Sequence, residues 1–338
     1  MTGQPDIMVC MEWARPRRWG HALSPCVVCF FVAVALFMPP ESRAQWLGRE
    51  ALSSFPADTQ QLAYLNLAQL RSMAEYPQMR NYLLNRQFRD FQDFLRSLGI
   101  DSENDVNEVI LGWRGMGTDR PGMMGRAEGR FDAEKARRQM VRMQMPIRQY
   151  QGYELYTFGS GEDPTDVVFV FFSASSAAFG RMRDLKELLD VRAGARPALE
   201  SNAALAAWEA ELEGTSPQWG ISVGKAASLQ AGPWIAAGGK DLPDVSKIFG
   251  PVEAVLYRMD WGGGVTTHAS IICQSEESAS TLAQLLGILR TARGSGVPEG
   301  VLTVLQGLEV QASGPRVELT TSAPFSVIDQ MMRGGAGL

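Results

Sequence analysis

Gly220-Ile221-Ser222-Val223-Gly224 has the spacing of a nucleophile elbow, the sharp strand-to-helix turn on which a hydrolase presents its serine. Acyl transfer at such a serine needs an imidazole to take its proton and a carboxylate to orient the imidazole. Downstream of the N-terminal segment, His268 is the base the chain offers. It falls inside a stretch that alternates like a strand, whereas hydrolases of that architecture carry the base on a later loop. The repeated βα pattern of their parallel sheet is also missing. The competing expectation is a strand that buries Ile221 and Val223 and has glycines at its ends. Ser222 and His268 therefore stand as the catalytic alternative to a non-enzymatic protein.

Met140, Met143 and Met145 are soft thioether donors of the kind that hold Cu(I). Met140 and Met143 also continue the apolar stripe of Ala133 and Ala136, where methionine fills core space. Gly224-Lys225 lacks the earlier glycine of a phosphate loop and has Ala226 where a hydroxyl would bind magnesium. No cofactor or metal is expected. A net charge of −5 argues against nucleic acid as a partner. Within this acidic chain, Arg114, Arg120, Arg126, Arg130, Lys135, Arg137, Arg138, Arg142 and Arg148 concentrate positive charge. The pattern reads either as a solvated face or as a surface for an anionic partner: an acidic protein, a lipid headgroup or a glycan.

The elements that must position these groups begin after a leader. Arg15, Arg17 and Arg18 precede an apolar run over 26–38, followed by Pro39-Pro40 and Ser42-Arg43-Ala44. This is the order of a secretory signal, with cleavage expected between Ala44 and Gln45 and a retained anchor as the alternative. No later run is long and apolar enough to cross a membrane as a helix. Cys273 is the cysteine left after cleavage. A turn at 55–59 leads to a short strand over 62–67. The stripe Leu84, Phe88, Phe91, Leu95 and Leu98 then predicts a helix over 77–98, stopped by Gly99 with Ile100 making the capping contact.

Two stretches share one order. In the first, strands near 109–113 and 124–131 flank a Gly/Pro-rich loop. Asp132 caps a helix, strands follow over 153–158 and 167–172, and Ser175 or Ser176 caps a second helix through Phe179, Met182, Leu185 and Leu189. In the second, Val255, Tyr257, Met259 and Trp261 alternate, and Gly262-Gly263-Gly264 turns the chain. A return strand then leads to a helix with the stripe Ala279, Leu282, Leu286 and Leu289. A hairpin over 308–321 and a helix from Pro324 complete it. The fold expected is α+β, with two similar β-β-α-β-β-α halves and antiparallel sheets whose helices pack on one side. The divisions are a signal over 1–44, a strand and long helix over 45–107, a first half over 108–193, a connector over 194–250 and a second half over 251–338.

With its Pro56-Ala57-Asp58-Thr59 turn and duplicated halves, the chain resembles uncharacterised secreted bacterial proteins with duplicated α+β halves. That resemblance implies a fold and an envelope location and no activity. In the first half, alternation sets Arg126 and Arg130 opposite Gly125, Ala127 and Gly129, whose small side chains leave room for a helix over 133–143. Arg126 and Arg130 are accordingly the candidate partner-binding residues, on the open side of the sheet. The function expected is that of an exported, non-enzymatic envelope protein engaged in binding. The alternatives are a hydrolase using Ser222 and a carrier of an apolar ligand between sheet and helices.

Overall fold

The computed structural model describes residues 41–77, 80, 86–119, 121–159, 166–212, 214, 216–228, 252–291 and 299–328. Residues Arg43–Leu338 form one compact unit. The chain begins with α1 (Glu41–Ser54), β1 (Thr59–Asn66), α2 (Leu67–Arg71), α3 (Arg86–Ser97) and α4 (Ser102–Asp105). Next come β2 (Val106–Arg114), β3 (Gly122–Gly129), α5 (Ala133–Arg142), β4 (Ile147–Tyr150), β5 (Tyr153–Phe158), β6 (Val167–Phe171), β7 (Ser176–Arg181) and α6 (Met182–Arg192). A 3₁₀ turn at Leu199–Ser201, α7 (Ala203–Leu212) and β8 (Gln218–Val223) follow. The chain continues through β9 (Val252–Trp261), β10 (Gly264–Cys273), α8 (Glu276–Thr291), α9 (Glu299–Gln306), β11 (Glu309–Ser313) and β12 (Arg316–Pro324).

Among the described residues the strands form one twelve-stranded sheet in the order β11-β12-β10-β9-β8-β1-β2-β3-β7-β6-β5-β4. Every pairing is antiparallel. β1 lies between β2 and β8, with Leu62 opposite both Gly112 and Ile221. Alternation then assigns two faces. On the front, Leu62, Tyr64, Ile110, Met124, Trp219, Ile221 and Leu256 pack against Leu47 and Phe55 from α1 and its end, Leu185 and Leu188 of α6, and Leu205 of α7. On the back, Ala127, Phe169 and Ala177 pack against α3 and α5 through Phe94, Leu98, Ala136 and Met140. Further along the back, Val255, Ile271 and Val317 meet Ala279, Leu282 and Leu286 of α8.

Helices thus cover both faces, where the sequence reading put them on one. The sheet is wide enough that its middle strands must bury side chains in both directions. Residues 176–181 also differ from expectation: they form β7 between β3 and β6, and the helix begins only at Met182. β4 is a further strand. Several local features stand as read. Ile100 N–H donates to Leu95 O at 3.0 Å, with Gly99 at φ +81°, which is the expected C-terminal cap of α3. Asp132 accepts from Lys135 N at 2.8 Å at the start of α5, and Ser275 accepts from Ser278 N at 3.2 Å at the start of α8. Residues 78–79, 81–85 and 329–338 lie outside the described residues, so the stripe position Leu84 does too.

Two glycines of β3 serve neighbours other than α5, while Ala127 does face α3 and α5. Gly125 leaves room for the Phe179 ring and Leu111, and Gly129 for the Asp105 backbone. Gly112 has the same role on β2: a Cβ there would stand 2.8 Å from two atoms of the Phe55 ring. Phe55 is wholly buried at the end of α1. Phe55→Ala should lower the unfolding free energy by about 3–5 kcal/mol, read from urea denaturation, because the pocket over Gly112 cannot close. A loss below about 1 kcal/mol would show that α1 does not brace the sheet.

Candidate functional site

Ser222 is fully buried in β8, opposite Gln61 of β1 and Val255 of β9. Gly224, at φ +54°, turns the chain two residues later, and helical residues 225–228 follow, so the local strand-turn-helix order is present. The serine stands in the strand and not on the turn. His268 pairs with Arg258, which pairs with Trp219, so its side chain leaves the front face. Ser222 shares the back face with Val255 and Ile271. The sheet separates the two residues, and no serine–histidine pair can form across it. His268 Nδ1 lies 3.2 Å from Thr320 Oγ1 and its Nε2 3.9 Å from Asp260 Oδ2. Around it, Thr266 bonds Ser322 at 2.9 Å and Ser270 donates to Glu318 at 2.6 Å, giving a polar lattice on the front of β10 and β12.

The methionines also part company. Met140 is buried in the core and Met143 is 44% exposed. Among the described residues no group of three or more His, Cys, Asp or Glu side chains could hold a metal ion.

Arg126 does leave the sheet on the side away from α5, but that side is not open. α1 lies over it, and the residue is 2% exposed. Its guanidinium pairs with Glu50, donates to Ser176 Oγ at 2.8 Å and Ser54 Oγ at 3.4 Å, and sits 5.4 Å from the centre of the Phe172 ring. Arg126 is a buried clamp between β3 and α1 and not a partner-binding residue. Arg130 is exposed just beyond β3, with Asn104 O at 3.5 Å. Other members of the basic stretch are paired within the protein, Arg114 with Glu187 and Arg137 with Glu154. Arg126→Glu should cost about 3–5 kcal/mol in chemical denaturation, since it breaks a buried pair and sets a carboxylate beside Glu50. Arg130→Glu should stay within about 0.5 kcal/mol of the parent.

Beside that clamp, Glu108 and Glu128 face each other across β2 and β3. Burial raises the Glu108 pKa to about 7; the Tyr64 hydroxyl opposes the rise and Glu128 adds to it. Burial also raises Glu128. Between 4.5, the ordinary value, and about 7, the folded protein keeps a proton on Glu108 that the unfolded chain releases. Stability therefore falls as pH rises through that window. Glu108→Gln should flatten this slope and raise the melting temperature at pH 8 relative to the parent, with little difference at pH 4.5. An unchanged slope would exclude Glu108 as its source.

The feature the sequence did not show is a cavity of about 330 Å³ between the back of the sheet and α3. Its floor is Leu65, Val109, Leu111 and Ala127, from β1, β2 and β3. Phe169, Phe171 and Phe179 of β6 and β7 form one wall, with Phe131 beside them. Leu95 of α3 and Ile100 form another. The lining is predominantly apolar. Its polar members are Tyr76, Arg80, Gln92, Ser102, Glu103 and Gln218. Arg80 forms an ion pair with Glu103, their side chains 39% and 24% exposed, which places this pair at the solvent end. The size lies at the lower end of small-molecule sites, ~300–1,000 Å³, and an apolar lining with a few polar groups is their usual composition. The only sequence hint was the need for space between sheet and helices, with no residue attached.

No protein-family model matches the chain, and no curated protein does. A solved structure, crystal form I of TP0453, is similar with a TM-score of 0.49 and 11% identity. The match covers 84% of this chain and 97% of that one. Among the described residues no helix is long and apolar enough to cross a membrane.

Proposed function

We propose that this is an exported, non-enzymatic protein of the cell envelope that binds an apolar small molecule between its sheet and α3. The observation that carries the reading is the cavity lined by Leu65, Leu111, Ala127, Phe169, Phe171 and Phe179. Apolar surface of this kind gains free energy by covering a ligand of the same character, at ~25 cal/mol per Å² removed from water. Export rests on the arginine, apolar-run and small-residue order that ends at Ala44. With cleavage there, Leu47, Ala51 and Phe55 remain with the mature chain and keep α1's contribution to the core.

The two β-β-α-β-β-α halves belong to the same proposal. Support comes from the way each opening hairpin, β2–β3 and β9–β10, pairs its second strand with the second strand of a later hairpin, β7 and β12. Helical chain follows each opening hairpin, α5 with β4 and β5 before the later hairpin in one half and α8 with α9 in the other. The cavity lies beside the first half alone, consistent with binding confined to one copy of a duplicated scaffold.

The test is titration of the purified protein with N-phenyl-1-naphthylamine, an uncharged dye that fluoresces in apolar surroundings. Saturable binding at one site per chain is expected. Ala127→Leu, which projects into the cavity floor, should weaken it about tenfold or more while far-ultraviolet circular dichroism is retained. Dye binding unchanged by that substitution would place the dye elsewhere and end the reading.

A further inference from the structure

We propose that the cavity selects single-chain lipids with an uncharged, hydrogen-bonding head, of the monoacylglycerol type. The acyl chain lies among the phenylalanines and a head-group oxygen accepts from Arg80. The inference rests on the binding reading above and names its ligand class.

The argument starts from the charge at the solvent end. Arg80 brings one positive charge and Glu103 one negative charge, and the two are paired. The remaining polar lining, Tyr76, Gln92, Ser102 and Gln218, is uncharged. Burial, with Glu103 adding to it, raises the Tyr76 pKa, so its hydroxyl keeps its proton and can donate. A carboxylate head entering here would meet Glu103 together with Arg80 and would gain no net charge complement for its lost hydration. Burying a charge without such a complement is far costlier than burying a hydroxyl or an ester.

Two unsatisfied atoms then specify the head further. Arg80 Nε and Gln218 Oε1 are both buried without a hydrogen-bond partner and have almost no accessible surface; both residues line the cavity, so a bound head meets these atoms once the two side chains turn toward it. One is a donor lacking an acceptor and the other an acceptor lacking a donor. A buried group in that condition costs ~1–3 kcal/mol until it is satisfied. A monoacylglycerol carries both complements, an ester carbonyl to accept and hydroxyls to donate. An alkane carries neither, and an ionised fatty acid can only accept.

The experiment is displacement of N-phenyl-1-naphthylamine at pH 8 by 1-decanoylglycerol and by decanoate, both as monomers. The native protein should release the dye to decanoylglycerol at about a tenfold lower concentration than to decanoate. Glu103→Gln, which leaves the Arg80 charge uncancelled, should narrow or invert that gap, with folding checked by thermal melt. Should the variant not fold, the native comparison decides by itself. Decanoate equal to or better than decanoylglycerol would overturn the head-group assignment while leaving the cavity reading intact. Absence of dye binding in the native protein would overturn both.

Discussion

The continuity of the sheet rests on the double pairing of β1. This strand is drawn from the beginning of the described chain yet bonds on one edge to β2 and on the other to β8. It joins the β2–β7 strands to the β8–β12 strands. Without it, two long interior edges would present unpaired N–H and C=O groups, a state that folded proteins avoid. Its alternation also divides the labour between the faces. Leu62 and Tyr64 enter the front core, where the Tyr64 ring stacks on Trp219 with centroids 5.2 Å apart. Leu65 turns to the back and becomes cavity floor. One strand therefore sets the register of the fold and contributes to the site.

Where structure is decided by local periodicity, it was legible in the sequence. The β9–β10 hairpin, the stripe of α8 and the Gly99-Ile100 cap each depend on residues within a few positions of one another. β7 is different. Ser176-Ala177-Ala178-Phe179-Gly180-Arg181 has little of the β-branched content of a strand. It is extended because β3 and β6 bond both of its edges. Gly180 lets the neighbouring backbone approach, since a Cβ there would stand 2.7 Å from Met123 O. Tertiary context overrode propensity.

Arg126 shows the same divide at the level of a single side chain. Strand alternation gave the face it leaves by, and that was right. What covers the face was decided by α1, whose Glu50 and Ser54 lie far upstream in a stretch the sequence reading gave no structural role. A charged residue on the far side of a strand is solvent-facing only if nothing packs there, and periodicity carries no information about that. Once enclosed, the arginine needs partners on every side. The glutamate, the two serines and the Phe172 ring supply all but one of them, and its Nε is buried without an acceptor.

The cavity was hidden for a related reason: it is a difference of volumes and not a pattern. Its floor is low where Ala127 and Ala177 stand, and its walls are high where Phe169, Phe171 and Phe179 rise from neighbouring strands. Removing core of that volume from a well-packed protein would cost on the order of 8 kcal/mol at ~24 cal/mol per Å³. That is comparable with the whole stability of a typical domain, ~5–15 kcal/mol. A single substitution of Ala127 by a larger apolar residue would recover part of it. Under the proposed function the open volume has a counterpart in ligand binding: a molecule that fills it restores the missing contacts, satisfies the Arg80 and Gln218 atoms, and stabilises the fold by mass action. Packing and recognition are then the same free energy, divided between protein and ligand by the size of one alanine.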